Sequence, residues 1–386
     1  ELIGNDALGF YKNLHSSQVA QMVVDGKIGS FLHVKTAEES NYLQSLAEKS
    51  RLKIPLIIGI DAIHGNALVS GTTVYPTPIN MAACFDNYYP YQIARETAIE
   101  MRATGSHWSF TPNIDVMRDP RWGRVGETFG EDPFLVGEMG VAMINGFQQG
   151  DYTGIDKVIA CAKHMIGGGE PINGLNASPM DVSERTLYEI HLPPYKKAID
   201  AGVYSIMAAH NELNGIPCHM HKELMTDVFR GEWNFDGFYV SDWMDIERIE
   251  KLHRVAENFK EASFLSVDAG MDMHMHGPHF LENIVELVKE GRISIERVNE
   301  ASEKILRAKF KLGLFENRYV DLTKVDNRIF TKQHKQTALD AARHSITLLK
   351  NKDGILPLKK ANKKIFVTGP NAVSYTHLTL PTKRIV

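Results

Sequence analysis

The sequence predicts an α/β chain whose main body is a (β/α)8 TIM-like barrel, and three observations carry that expectation. Short β-type runs recur at fairly even intervals along the chain. Several of them are apolar without alternation, as parallel strands buried on both faces are. Helical patterns fill the gaps between them. Strand-helix units of this kind repeated over about 300 residues fit a closed barrel in which one strand is degenerate. A doubly wound open sheet is the alternative, but no GxGxxG turn follows the early strands.

The runs, in order, are "GSFLHV" (29–34), "IPLIIGID" (54–61), "WSFTPNID" (108–115), "KVIACAKHM" (157–165), "VYSIMAAH" (203–210), "GFYVSDW" (237–243) and "FLSVDAGMDMHMH" (264–276). Aromatic and β-branched residues dominate them, as a buried strand requires. After the second run, Ala94, Ala98 and Met101 lie at helical spacing, and Gly105 follows as a stop. Near the end of the repeat, Ile295, Val298, Ala301, Ile305, Ala308 and Leu312 hold the same spacing. Residues 1–314 are therefore read as the barrel. From 315 the pattern breaks into a polar linker (315–335). A helix, a turn and the strand-like "KKIFVTG" then open a second domain over 336–371, too short here for a core of its own.

Composition narrows the function. A chain of 386 residues, 43% hydrophobic, can bury a large core, and its net charge of −4 gives no reason to expect nucleic acid or an anionic membrane as partner. No apolar run approaches the length of a transmembrane helix, so no membrane insertion is expected. Residue 1 opens no basic n-region or apolar h-region, which places any targeting segment outside this sequence. Cys84, Cys161 and Cys218 are well separated and are expected to be free thiols. That leaves the redox compartment open.

In a barrel of this kind the C-terminal strand ends form the active face. Read in order they are Asp61, Asp115, Lys163 with His164, His210, then Asp242 with Trp243. A charged residue ending an apolar strand is costly unless it pairs or works. Asp242 alone has a plain alternative as the N-cap of the helical "MDIERIEKLH". Charge at five strand ends points instead to a polar ligand, and a sugar fits. Carboxylates accept from neighbouring hydroxyls, Lys and His donate, and an indole covers the C–H face of a ring. Two long polar loops leave the same face, "MRDPRWGRVGETFGEDP" (117–133) and "GGGEPINGLNASP" (167–179). The glycines of the second resemble a phosphate cradle, but no GK[ST] follows, so no nucleotide is expected. "PCHMH" (217–221) and "DMHMHGPH" (272–279) place His219/His221 and His274/His276 at i, i+2. No third ligand or carboxylate partner can be assigned, so these are read as loop histidines and no metal or cofactor is expected.

"GIDAIHG", "RDPRWGRVGETFGEDP", "KHMIGGG", "NELNGIP" and "GFYVSDW", in this order, resemble glycoside hydrolase family 3. The resemblance runs from about residue 50 to 371, and it implies an α/β sandwich as the second domain, entered through "AARHSITLLKNKDGILPL". It further implies a retaining, exo-acting enzyme that removes terminal β-D-glucosyl residues, without a cofactor, in the periplasm or outside the cell. Asp242 is then the nucleophile. Asp61, Arg124, Lys163 and His164 bind the sugar, Met207 and Trp243 line the subsite, and Arg248 stands at its edge. His210 occupies a position where many relatives have a Tyr, next to the nucleophile. Gly174 stands where some branches place a sugar-binding Arg; the loop has the form of the exo-β-glucanase branch, so linked glucans are expected substrates. The tail 372–386 departs from the family pattern and is read as an artefact of the sequence end.

A retaining glycosidase needs two carboxyl groups about 5–5.5 Å apart. In the branches resembled here the acid/base comes from the second domain or beyond, past residue 386. Within loop 167–179 the only carboxylate is Glu170. Two other readings remain at this level. Lys163 suits a Schiff-base aldolase or lyase, and a barrel that keeps the subsite without catalysis would only bind sugar.

Overall fold

The computed structural model describes residues 16–150, 152–275, 277–358 and 366. The strand expected at 363–369 lies, but for Phe366, outside them, as do His276 and the tail 372–386. The chain divides into two compact units, 1–346 and 347–386.

The first unit is built on short parallel strands: β1 (Ser30–Leu32), β2 (Ile57–Ile60), β3 (Trp108–Ser109), β4 (Cys161–Met165), β5 (Ser205–Ala208) and β6 (Phe238–Val240). They form two three-stranded sheets, β1-β2-β3 and β4-β5-β6. Parallel bridges Trp108↔Ile159 and Asn113↔Lys163 join the sheets, and Met273 adds a further stave by bridging Val240. Successive strands are neighbours throughout, which is the barrel order. The 264–276 run is a correction. Helix Phe259–Asp268 takes its first part, capped by the Asn258 side chain accepting from the Glu261 N–H. Ala262, Ser263, Ser266 and Val267 are its buried residues. The two serines hide that helical spacing from a hydrophobic count, which leaves the run looking like a strand. Only Met273 pairs.

Burial on both faces explains the unbroken apolar strands. Phe238 and Val240 of β6 pack inward with Ile57, Trp108, Cys161 and Met207, while Tyr239 between them faces the outer core. The interior rings pack edge to face, Trp108 with Phe110 at 4.7 Å and with Phe238 at 5.0 Å. The Trp108 indole N–H donates to Ser205 Oγ at 2.7 Å, so burying it costs little. Ala308, Leu312 and Leu314, at the end of helix Ile295–Lys311, close this inner core from below.

Helix Lys332–His344 lies within the first unit, whose limit at 346 falls beyond the 336 at which the sequence placed the next domain. Its anchors are buried carboxylates on helix Tyr88–Ala103. His334 Nδ1 meets Glu100 Oε1 at 2.7 Å, and Thr337 Oγ1 donates to Glu96 Oε1 at 2.8 Å. Glu100 also accepts from the Thr73 N–H and hydroxyl and from the Phe330 N–H. Burial would raise its pKa, but these bonds outweigh it and hold the carboxyl below its ordinary 4.5. Such a group stabilises fully above 4.5, and its contribution is lost as pH falls through the lower, folded value. Glu100→Ala leaves buried donors without a partner and should cost about 2–3 kcal/mol. A urea midpoint within error of wild type at pH 7 would refute that. The second unit, where described, is a turn in which the Asn351 side chain both accepts from and donates to the Leu356 backbone at 2.9 Å.

Candidate active site

The strand ends surround a cavity of about 420 Å³, within the usual size of small-ligand clefts. Asp61 follows β2 directly. Its Oδ1 accepts from Lys163 Nζ at 2.5 Å and its Oδ2 pairs with His33 Nε2 at 2.8 Å. Burial would push this carboxyl up. The Lys163 charge and the His33 contact win, and Asp61 stays ionised, well below the usual carboxylate range. Each oxygen keeps a lone pair for a ligand hydroxyl. Lys163 is almost wholly enclosed, whereas the Asp61 side chain is 32% exposed to the cavity.

Lys163 and His164 are sequence neighbours, and a regular strand would send them to opposite faces. Both line the cavity. The β4–β5 register shifts between Ala162 and Met165, an irregularity of the kind that re-aims a side chain. Behind His164 sits Asp115, fully buried, whose Oδ2 accepts from the His164 N–H at 3.1 Å and meets Nδ1 at 2.9 Å. Burial pushes the Asp115 carboxyl up to about 6, against the pull of Arg124 and that N–H. Burial likewise holds the His164 imidazole well below its ordinary value, helped by the charges of Arg124 and Lys163. A neutral ring then carries its proton on Nδ1, toward Asp115, and its Nε2 accepts from Arg124 Nη2 at 3.0 Å. Arg124 is locked by Glu127, with bonds of 3.1 and 2.8 Å, and Glu127 accepts from Asn113 as well. Burial opposes the guanidinium, but Glu127 raises its pKa, so it stays charged.

β6 delivers Asp242 to the same cavity. Its backbone N–H donates to His219 Nε2 at 2.9 Å, its Oδ1 accepts from the Trp243 N–H at 2.6 Å, and its Oδ2 lies 3.2 Å from His210 Nε2. The capping alternative fails. Helix Asp245–Lys251 has Met244 at its N-cap, with no side-chain cap bond. Asp242 therefore reaches the cavity for a reason other than the helix. Asp245 is buried and meets His210 Nδ1 at 2.6 Å, and its Oδ1 accepts from Arg248 at 2.6 Å. Donor atoms of His210, Asp242 and Asp245 lie within 4.8 Å of one another. The imidazole lies between the two carboxylates, hydrogen-bonded to Asp245 and within ion-pair distance of Asp242.

Asp61, Arg124, Lys163, His164, Met207 and His210 line the cavity together with Asp242 and Trp243. Arg248 stands one layer back, on Asp245. Glu170 is turned away from the cavity lining and pairs with His191 at 2.9 Å. Sequence reasoning passed over His33, Glu127, Asp245 and His219. His33 stands next to last in the first strand-like run, as His164 does in the fourth, so the strand-end rule would have found it. His219, read as a loop histidine, is buried in the turn Cys218–Met220 and holds the Asp242 backbone.

Residues 8–308 match the Glycosyl hydrolase family 3 N terminal domain. A beta-xylosidase of Formosa agariphila is 38% identical over 90% of this chain and 51% of its own length. A periplasmic beta-glucosidase of Salmonella typhimurium is 33% identical over 92% of this chain and 46% of its own length. Among solved structures, the beta-glucosidase of Listeria innocua in complex with glucose superposes with a TM-score of 0.84 at 36% identity. That superposition covers 92% of this chain and 48% of the other. The chain thus spans about half the length of the curated relatives it matches. Agreement in sequence over nearly the whole chain, and in backbone over the same stretch, leads to one assignment: the chain belongs to glycosyl hydrolase family 3.

Proposed function

We propose that the chain carries the sugar-binding and nucleophilic part of a retaining, exo-acting β-glycosidase that removes terminal non-reducing β-D-glucosyl residues from gluco-oligosaccharides or β-glucosides. One observation carries the reading: Asp242, at a strand end, lines the same cavity as the Asp61–Lys163 pair. A pyranose between them has its anomeric carbon on Asp242 and its far hydroxyls on Asp61, with His33 beside them. An Asp242 oxygen bonds to C1 as the C1–O bond to the leaving group breaks. Water then releases the sugar with retained configuration. Asp61 and Glu127, the other carboxylates of the described cavity wall, are engaged by cations, so the proton for the leaving oxygen comes from a different carboxyl. Lys163 does not suit Schiff-base chemistry, which needs a free amine, because it donates to Asp61 at 2.5 Å.

Glucose is favoured by the Listeria innocua neighbour, whose structure holds it, while the Formosa agariphila relative is named a beta-xylosidase. The name of the Salmonella typhimurium relative supports a periplasmic or secreted setting. Mass spectrometry tests the proposal. Incubation with 2,4-dinitrophenyl 2-deoxy-2-fluoro-β-glucoside should add one fluoroglucosyl group, mapped to Asp242, because this leaving group departs without a proton. A chain that binds glucose yet is never labelled would be a non-catalytic sugar-binding barrel.

A further inference from the structure

We propose that His210, clamped between Asp242 and Asp245, is a positioning residue that holds the Asp242 carboxylate ready for attack, and that loss of a proton from this relay shuts the site on the alkaline side. The inference rests on Asp242 being the nucleophile.

Geometry sets the protonation. His210 Nδ1 faces Asp245 Oδ2 at 2.6 Å and Arg248 Nη1 at 3.0 Å. The guanidinium can only donate and so favours a lone pair on Nδ1, but the shorter contact, to the Asp245 carboxylate, needs a hydrogen there and prevails. Nε2 faces Asp242 Oδ2 at 3.2 Å, again an acceptor without hydrogen. With a hydrogen-bonded carboxylate at Nδ1 and a second carboxylate in ion-pair range of Nε2, the imidazolium is the favoured form. Burial opposes that charge, but the Asp245 bond and the two carboxylates outweigh it and raise the pKa above its ordinary value.

Among the described residues, the neighbouring imidazoles are no substitute for it. From β4, His164 lies nearly parallel to His210 at 6.2 Å, neutral, with its Nε2 3.7 Å from Asp242 Oδ2. His219, from the turn Cys218–Met220, is lowered by burial; its Nε2 takes the Asp242 N–H and lies 3.7 Å from Asp245. Beyond it, His253 pairs with Glu212 at 3.2 Å. Asp242, Asp245, His210 and Arg248 form a neutral set of two carboxylates and two cations. When the imidazolium loses a proton, the one that remains stays on the shorter bond, to Asp245. Nε2 then offers Asp242 a lone pair, and the carboxylate is pushed from its place.

The test follows dinitrophenolate release from the 2-fluoro glucoside against pH, since that step needs no general acid. Wild type should lose rate about tenfold per pH unit above the imidazolium limb. His210→Gln can donate to Asp242 but does not titrate, so it should react several-fold more slowly with the alkaline limb gone. His210→Phe, which cannot donate, should be slower by on the order of 100-fold at every pH. An alkaline limb in His210→Gln at the wild-type position overturns the relay. If the glutamine variant fails to fold, the 15N signals of the wild-type His210 ring decide: double protonation at pH 7 supports the proposal, and a neutral ring overturns it. Labelling that maps away from Asp242 defeats the functional reading instead.

Discussion

Asp242→Asn, placed in the complete enzyme, should lower kcat on aryl β-glucosides by roughly 10⁴-fold or more, the scale on which removal of a catalytic nucleophile acts. The carboxamide is a far poorer nucleophile than the carboxylate and cannot form the glycosyl ester. Its size is unchanged, so the walls of the cavity should not collapse. The amide has one acceptor where the carboxylate has two, and Asp242 uses both, toward the Trp243 N–H and toward His210. One contact is therefore forfeited, at about 1 kcal/mol. Melting within a few degrees of wild type, together with lost turnover, is the expected pair of results. Hydrolysis at the wild-type rate would move the nucleophile elsewhere.

Asp61→Ala should act on two quantities at once. Affinity for a glucose-configured iminosugar should fall by about 100-fold, because a charged acceptor of two hydroxyl bonds disappears from an enclosed site. Stability should fall as well. Lys163 would be left enclosed without its counter-charge, a loss of about 3–5 kcal/mol for a fully buried pair. The Asp61 side chain is 32% exposed, so solvent screening brings the cost toward the lower end. Asp61→Asn separates the effects, since it keeps an acceptor and drops the charge. An inhibition constant unchanged in the alanine variant, measured at a temperature where it is folded, would remove Asp61 from contact with the sugar.

How much of this was legible depended on range. The barrel could be read because every strand after β1 is buried on both faces, and that constraint acts residue by residue along the chain. The strand-end rule located Asp61, Lys163, His164, His210 and Asp242 for a similar reason, since an ionisable residue closing an apolar run stands out locally. Glu127 was hidden because its role depends on Arg124 and Asn113, the latter fourteen positions away, and nothing in a polar loop marks which acid will fold back. Asp245 was masked by a helix start that makes an acidic residue ordinary. The helical part of 264–276 was missed because two buried positions are serines. His219 fell to a weak prior, that histidines outside strands are surface features. In the structure it is buried under the residue the site is built on.

The strap from Lys332–His344 to helix Tyr88–Ala103 has a kinetic consequence. Its bonds span 234 residues from Glu100 to His334 and 241 from Glu96 to Thr337. On a ribosome adding about 5–20 residues per second, tens of seconds separate emergence of the two carboxylates from that of their partners. By the end of that interval the nascent barrel holds its cavity-forming strands but not the groups that let Glu96 and Glu100 go under cover, so the last step of folding waits on the chain beyond residue 330. Truncation at 314, where the strand-helix repeat stops, would make that waiting state permanent. A stand-alone barrel must be cut after the strap.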